Sequence, residues 1–139
     1  MNDKHMFNAA KAASTNADYT GGNQTKVGCV IVYKGAILAK GYNSDKTHPW
    51  QDKYNCYRFT NTSNNYLPSK RHAEINAITK IKYLDINFSE VHLYIYRSLK
   101  NGHSAMARPC PACMNAIRNM GIKKIHYTTY DGTAFEQLY

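Results

Sequence analysis

Residues 108–121 read RPCPACMNAIRNMG, and the segments on either side of them indicate the fold class. A proline in the first turn of this stretch and Gly121 at its end are typical of an α-helix. It lies between EVHLYIYR (residues 90–97) and IKKIHYTTY (residues 122–130), whose β-branched and aromatic residues predict strands. A strand, a helix and a second strand in this order favour a parallel strand pair with the helix packed on one face of the sheet.

The preceding part of the chain adds two helices and a hairpin. The first helix runs from about Asn2 to Ser14 and has one apolar face. KVGCVIVYKGAILAKGYN (residues 26–43) predicts an antiparallel hairpin, and RHAEINAITKIK (residues 71–82) predicts a helix that packs on a sheet. Residues 44–70 form a polar and aromatic insertion whose length favours a functional role.

Composition and charge narrow the class of protein. We take residues 1–139 as one domain, and we find no apolar run long enough to span a membrane. The N-terminus has no signal-peptide core and four cysteines are too few for a disulfide scaffold, so we expect a cytoplasmic protein. The formal net charge is +9, and residues 91–130 carry six cations and no carboxylate. Both a solvated basic face and attraction to phosphates explain this excess.

Two helix starts carry the residues with metal and acid–base chemistry. His72 and Glu74 lie in the first turn of one helix, and Cys110 and Cys113 lie at the start of the other. Both starts are expected at the same end of the sheet. Two thiolates and an imidazole are good zinc ligands that leave a fourth position for water. Glu74 points away from the His72 side of its helix and is a candidate for moving protons to and from that water.

Each of these residues has a simpler interpretation when it is taken alone. His72 and Glu74 could be ordinary surface residues, and Cys110 and Cys113 could be a redox pair. In combination, HAE followed by PCPAC matches the signature of zinc deaminases, His-x-Glu and then Pro-Cys-x-x-Cys. A redox pair leaves His72 and Glu74 unexplained, so we interpret the cysteines as metal ligands.

These motifs, with the hairpin that ends in Gly41-Tyr42-Asn43, resemble the cytidine and deoxycytidylate deaminase superfamily. The similarity runs from about Lys26 to Thr129 and points to the branch whose first ligand is histidine. It implies an α/β fold of three α-β-α layers with a mixed sheet of four or five strands, the tail after residue 130 being too short to assign. It also implies that His72, Cys110 and Cys113 bind zinc and that Glu74 shuttles protons.

The resemblance further implies three substrate contacts. Asn43 would hydrogen-bond the base or sugar, although an asparagine after a strand is also a common turn residue. Ala73 would line the pocket, and Arg108 would place a cation where a phosphate is met. Because the insertion before HAE is similar to that of the deoxycytidylate enzymes, we expect a nucleotide substrate and conversion of dCMP to dUMP with release of ammonia.

Two other functions stay open on the sequence. Aromatic residues interleaved with cations in residues 44–70 are also typical of a groove for single-stranded nucleic acid. The substrate could therefore be cytosine in single-stranded DNA or RNA, or adenosine in tRNA. The third hypothesis is a non-catalytic, zinc-containing nucleic-acid-binding module. The three ligands predicted above argue against it, because structural zinc normally has four protein ligands. Because the family often assembles through its helices, we expect a homo-oligomer.

Overall fold

Helices and strands alternate along the part of the chain that the structure describes. This computed structural model describes residues 2–17, 26–44, 49–54, 72–99, 101 and 103–139, so most of the predicted loop at 16–26 and of the insertion at 44–70 lies outside it. The helices are α1 (Asp3–Ser14), α2 (Pro49–Tyr54), α3 (Ala73–Ile78) and α4 (Pro111–Met120), with a 3-10 turn at Phe88–Glu90. The strands are β1 (Lys26–Tyr33), β2 (Ala36–Tyr42), β3 (Val91–Ser98), β4 (Ser104–Ala105), β5 (Lys124–Thr128) and β6 (Thr133–Gln137).

The described strands form one mixed sheet in the order β2-β1-β3-β5-β6, with β4 attached to β3. β1 is antiparallel to β2 and β3, β3 is parallel to β5, and β5 is antiparallel to β6. In this register the end of β2, the start of β1 and the ends of β3 and β5 share one edge. Asn76 Nδ2 donates to the Tyr42 carbonyl at 3.1 Å, and Ala107 N donates to the Thr128 carbonyl at 2.9 Å. The starts of α3 and α4 are therefore fastened to this edge.

Alternate residues of the strands face two different cores. The larger core lies between the sheet and the helices α3 and α4, and it includes Cys29, Ile31, Leu93, Ile95 and Ile125. The smaller core lies on the other face, where α1 packs against the sheet; its buried members are Met6, Phe7, Ala10, Val30, Val32 and Tyr94. Helices thus cover both faces, which confirms the predicted three-layer α/β fold.

Two glycines allow helices to approach the sheet at backbone distance. A Cβ atom on Gly28 would overlap the Ala10 carbonyl of α1. A Cβ atom on Gly41 would overlap the Ala73 carbonyl and lie 2.6 Å from the Ala77 nitrogen of α3. Backbone atoms cannot rotate out of the way as a flexible side chain does, so both positions require glycine. Gly41 thereby determines how closely α3, the helix that carries Glu74, packs on the sheet.

The helix predicted over residues 71–82 is shorter in the structure and ends at Ile78. Thr79 Oγ1 donates to the Asn76 carbonyl at 3.0 Å. The following amides bond three residues back, Lys80 N to Ala77 O and Ile81 N to Ile78 O, each at 3.1 Å. A threonine side chain that competes for a helix carbonyl weakens the regular pattern, and the chain tightens into turns.

Three further elements lie in segments that the sequence left unassigned. α2 lies in the insertion, β4 has only two residues, and β6 raises the sheet to six strands, one more than the expected maximum. β6 is an edge strand with no fully buried residue, so it lacks the apolar alternation by which strands are recognised. Across the described residues no helix is both long and apolar enough to cross a membrane.

A stack of rings lies on the α1 face of the sheet. The His126 ring stacks on Tyr94 with 4.1 Å between centroids, and its Nε2 lies 2.8 Å from Nδ1 of His92. Tyr94 Oη donates to Asp3 Oδ1 at 2.6 Å, and Phe135 packs at 4.7 Å from the outer side of His126. Burial lowers the pKa of His126 to about 4; the Asp3 carboxylate opposes this shift and the charge of His92 adds to it. His126 is therefore neutral in the folded protein near neutral pH.

We expect His126 to make the protein less stable in acid. Its pKa is about 4 when folded against an ordinary value of 6.5, so the unfolded chain binds more protons between these values. The free energy of unfolding therefore falls as the pH decreases through that window, by up to about 1 kcal/mol per pH unit. In urea unfolding at about pH 7 and about pH 5, His126→Phe, which can still stack on Tyr94, should lose less stability than wild type. An equal loss in both proteins would contradict this assignment.

Candidate metal centre

Three side chains with metal-binding atoms meet where α3 and α4 begin. His72 is the N-cap of α3 and Cys110 is the N-cap of α4, and neither side chain caps its own helix. Cys113 lies in the first turn of α4, which Pro111 opens. The Nδ1 atom of His72 is 3.5 Å from the Cys110 sulfur and 3.3 Å from the Cys113 sulfur. The structure thus brings together all three predicted ligands.

The spacing of these donor atoms fits a tetrahedral zinc ion. Bonds of about 2.3 Å to sulfur and about 2.0 Å to nitrogen at a tetrahedral angle place the two atoms about 3.5 Å apart. The observed separations are 3.5 and 3.3 Å, and all three donor atoms lie within 4.8 Å of one another. Both cysteines are free thiols. Three protein ligands leave one tetrahedral position open, which is typical of catalytic zinc.

The two cysteines differ in how readily they lose a proton. A hydrogen bond from Cys113 lowers the pKa of Cys110 to about 4; burial opposes this shift, and His72 supports it. The same hydrogen bond, together with burial, raises the pKa of Cys113 well above its usual value. Of the two thiols Cys110 therefore ionises more readily, and metal binding releases the protons that the pair still holds.

Glu74 lies beside this cluster without belonging to it. Its side chain is only 6% exposed, and the metal-ligand cluster found among the described residues consists of His72, Cys110 and Cys113. Burial raises the pKa of Glu74 to about 7, with His72 opposing and Cys110 adding to the shift. A buried carboxyl group whose pKa is near neutrality is suited to accept and donate a proton.

Two of the predicted substrate contacts lie at the same edge of the sheet. Asn43 directly follows β2; its Oδ1 accepts a hydrogen bond from Val27 N at 3.0 Å, and its own backbone N donates to Val27 O at 3.3 Å. These bonds fix the orientation of the amide at the sheet edge. Ala73 opens α3 and is fully buried, because its backbone packs on Gly41. Contacts of Asn43 and Ala73 with a substrate stay predictions.

Arg108, the third predicted contact, forms an ion pair with Glu136 of β6. Its Nε donates to Glu136 Oε1 at 2.8 Å, and Tyr127 Oη donates to the same oxygen at 2.9 Å. The Arg108 side chain is 48% exposed, so solvent screening limits the ion pair to below about 1 kcal/mol. A guanidinium has five N–H donors, and the pair with Glu136 leaves donors for an anion. A phosphate contact by Arg108 stays a prediction.

A buried polar group that no sequence motif predicts contacts the backbone of His72. Gln51 of α2 is fully buried, and its Oε1 accepts a hydrogen bond from the backbone N of His72 at 3.1 Å. No motif marks this residue, since it is one polar side chain in a long polar stretch. Pro49 at the first position of α2 is the local signal that indicates a helix there.

The fold and this site agree with a known protein family. Residues 1–129 match the family model described as the cytidine and deoxycytidylate deaminase zinc-binding region. The match covers most of the chain, and the chain therefore belongs to this family of zinc-type deaminases. This confirms the superfamily that the motifs around His72 and Cys110 predict.

Individual relatives differ in what they act on. The tRNA-specific adenosine deaminase subunit tad2 of Schizosaccharomyces pombe is 30% identical over 106 residues, which are 75% of this chain and 20% of that protein. The chain thus spans about a fifth of that relative's length. The dCMP deaminase of cyanophage S-TIM5 has a TM-score of 0.58 at 27% identity, covering 91% of this chain and 82% of that chain.

Two further solved structures are similar to this chain. The phage enzyme in complex with dCMP and dUMP has a TM-score of 0.57 at 25% identity, covering 91% of this chain and 79% of that chain. The cytidine deaminase of Burkholderia pseudomallei has a TM-score of 0.65 at 18% identity, covering 99% of this chain and 93% of that chain. At that identity the second likeness supports the fold alone.

We expect the purified protein to hold about one zinc ion per chain and to lose it when a cysteine ligand is replaced. Cys113→Ser keeps the size of the side chain, but a serine hydroxyl does not ionise near neutral pH and is a far weaker zinc ligand. Atomic emission spectrometry should then find less than about a tenth of the wild-type zinc. Cys29→Ala, which removes a buried thiol outside the cluster, is the control and should retain the metal. Full zinc occupancy in Cys113→Ser would rule out this ligand set.

Proposed function

We propose that this protein is a zinc-dependent hydrolytic deaminase of an aminopyrimidine nucleotide, and that it converts dCMP and water into dUMP and ammonia. One observation carries the proposal. A buried carboxyl group, Glu74, lies beside one imidazole and two thiols that converge at the same sheet edge. This is the set of groups that a hydrolytic deamination requires.

His72, Cys110 and Cys113 would hold the zinc ion. When bound, zinc supplies a Lewis acid that makes water nucleophilic near neutral pH. The two helix starts fix the directions of the three ligands. The fully buried Cys113 and the nearly buried Glu74 exclude bulk water from the inner side of the site, which strengthens electrostatic interactions there.

Glu74 would carry the protons of the reaction. Replacing an amino group by oxygen requires a proton to leave the attacking water, a proton to reach the adjacent ring nitrogen, and a proton to reach the departing amine. One carboxylate can perform these transfers in turn, because each proton that it accepts is passed on before the next. Water is consumed, ammonia is released and Glu74 returns to its starting state. Burial of Glu74 favours the protonated form that must persist between transfers.

Three features support dCMP as the substrate. The chain is 27% identical to the phage dCMP deaminase, and that enzyme has been solved in complex with dCMP and dUMP. Arg108 stands two positions before Cys110 and retains N–H donors for a phosphate. Asn43 presents an oriented amide at the edge where the ligands lie, and an amide matches the donors and acceptors of a base or sugar.

A deaminase that acts on polynucleotide is the second candidate, and two observations favour it. The S. pombe relative is a subunit of a tRNA-specific adenosine deaminase. On the surface, Lys82 Nζ lies 4.8 Å from the ring centroid of Trp50 and 5.0 Å from that of Tyr83, and Tyr83 is 90% exposed. An exposed aromatic ring beside a cation is suited to stack a base of a single strand.

A substrate screen that measures ammonia release separates these candidates. We expect kcat/KM for dCMP to exceed that for deoxycytidine, which lacks only the phosphate, by about tenfold or more, because a charged hydrogen bond to phosphate contributes about 1.5–3 kcal/mol. Arg108→Met should lower kcat/KM for dCMP and leave that for deoxycytidine unchanged. Turnover only of single-stranded oligonucleotides or tRNA would replace this proposal by the second candidate. A zinc-loaded protein that releases ammonia from no substrate would indicate a binding module.

Glu74→Gln tests the proton transfers directly. The amide has nearly the size and shape of the carboxyl group but cannot accept and release a proton, so kcat should fall by about 10²–10⁴-fold. Zinc content and the circular dichroism spectrum should remain those of wild type. Glu90→Gln, at an exposed carboxylate of the 3-10 turn, is the matched control and should be fully active. Wild-type turnover by a folded, zinc-loaded Glu74→Gln variant would exclude the assigned role.

A further inference from the structure

The short helix α2 contacts both helices that carry the metal ligands. Gln51 is fully buried, and its Oε1 accepts a hydrogen bond from His72 N at the start of α3, at 3.1 Å. Three residues further on, Tyr54 Oη accepts a hydrogen bond from Asn119 Nδ2 of α4, at 3.1 Å. Tyr54 is only 5% exposed and belongs to the larger core, against which Trp50 also packs. α2 therefore connects α3 and α4 through two buried residues, Gln51 and Tyr54.

The bond from His72 to Gln51 replaces one that helices usually make within themselves. In a capping box, a Glu or Gln at the third helical position accepts a hydrogen bond from the backbone N–H of the N-cap. His72 is the N-cap of α3, and the third position is Ile75, a fully buried member of the larger core. An isoleucine cannot accept this bond. In this protein the acceptor comes from α2, where Gln51 Oε1 supplies it.

The bond to Gln51 holds the backbone of the predicted zinc ligand His72. His72 has an extended backbone, with φ −80° and ψ 160°, and its side chain makes no capping bond. The backbone N of His72 bonds to Gln51 of α2. This bond restricts how His72 can rotate at the start of α3. Ligands that are held in place before the metal arrives lose less freedom on binding, so the groups that hold them raise metal affinity.

We propose that Gln51 is a positioning residue that orients the zinc ligand His72, and that α2 is the part of the insertion that couples the two ligand-bearing helices. The inference rests on the metal centre of the proposed function. It gives the insertion a role in metal binding that does not depend on which substrate the enzyme takes.

Gln51→Met tests this role, because it keeps the length of the side chain and removes the acceptor. We expect its zinc affinity, measured in competition with a chromophoric chelator, to fall by about tenfold or more, as for other groups that hold metal ligands. Cobalt substituted for zinc should show altered ligand-field bands. Gln51→Glu retains a side-chain oxygen that can accept the bond and should recover most of the affinity. Equal affinities in the two variants would overturn the proposal.

A merely structural role of Gln51 would give a different result. Metal that binds only the folded state raises Tm, and we expect this zinc-dependent increase to shrink in Gln51→Met. Tyr94→Phe is the matched control, because it removes a partly buried hydrogen bond, that to Asp3, on the opposite face of the sheet. It should lower Tm equally with and without zinc. If Gln51→Met behaved like Tyr94→Phe, the proposal would be wrong, whereas wild-type protein that binds no zinc would overturn the metal centre itself.

Discussion

The metal centre depends on the approach of two helix starts at one edge of the sheet. His72 and Cys113 are 41 positions apart in sequence, yet the nitrogen of one lies 3.3 Å from the sulfur of the other. No local preference sets this distance. The hairpin of β1 and β2 places α3 through the close contact at Gly41, and the parallel pair of β3 and β5 places α4. Because metal–ligand distances tolerate deviations of only about 0.2 Å, the register of the whole sheet determines whether the three ligands can share one ion.

The groups around this edge are also costly to bury. Glu74 is 6% exposed, and Gln51 and Cys113 are fully buried among apolar side chains. Removing such polar groups from water destabilises a protein unless they find hydrogen-bond or charge partners. A core of alkyl groups does not carry this free-energy cost. On the α1 face the buried Tyr94 places its hydroxyl on an exposed partner, the carboxylate of Asp3. At the site edge, by contrast, an acid stands beside two thiols and an imidazole whose donor atoms have the spacing of zinc ligands. Such a concentration of perturbed groups is typical of a site kept for function.

Much of this arrangement is visible in the sequence, and the exceptions have physical causes. The strand, helix and strand around Cys110 have clear periodicity and end signals, so their order and their parallel pairing are predictable. The ligands and Glu74 are predictable because the chemistry dictates residue types at fixed short spacings. β6 was missed because an edge strand buries little and its sequence shows no alternation of apolar residues. Gln51 was missed because its importance arises from a bond to a backbone N–H that is 21 positions away, and no residue pattern encodes such a partner. The tight turn after Ile78 depends on one threonine hydroxyl, a detail that hydrophobic periodicity does not report.

The substrate is a separate question from the chemistry, and the comparisons show why. The chain is 30% identical to a subunit of a tRNA adenosine deaminase and 27% identical to a phage dCMP deaminase. Overall similarity therefore supports a nucleotide and a polynucleotide alike, and a net charge of +9 suits either substrate. Arg108, the cation nearest to Cys110 in sequence, is already paired with Glu136, so part of the positive charge serves the fold. Discrimination between these two substrates must come from single side chains near the predicted metal ligands. Such side chains can distinguish the terminal phosphate of a nucleotide from the continuing strand of a polynucleotide. A guanidinium oriented by a carboxylate is suited to the first, because its remaining donors match the oxygens of one compact anion.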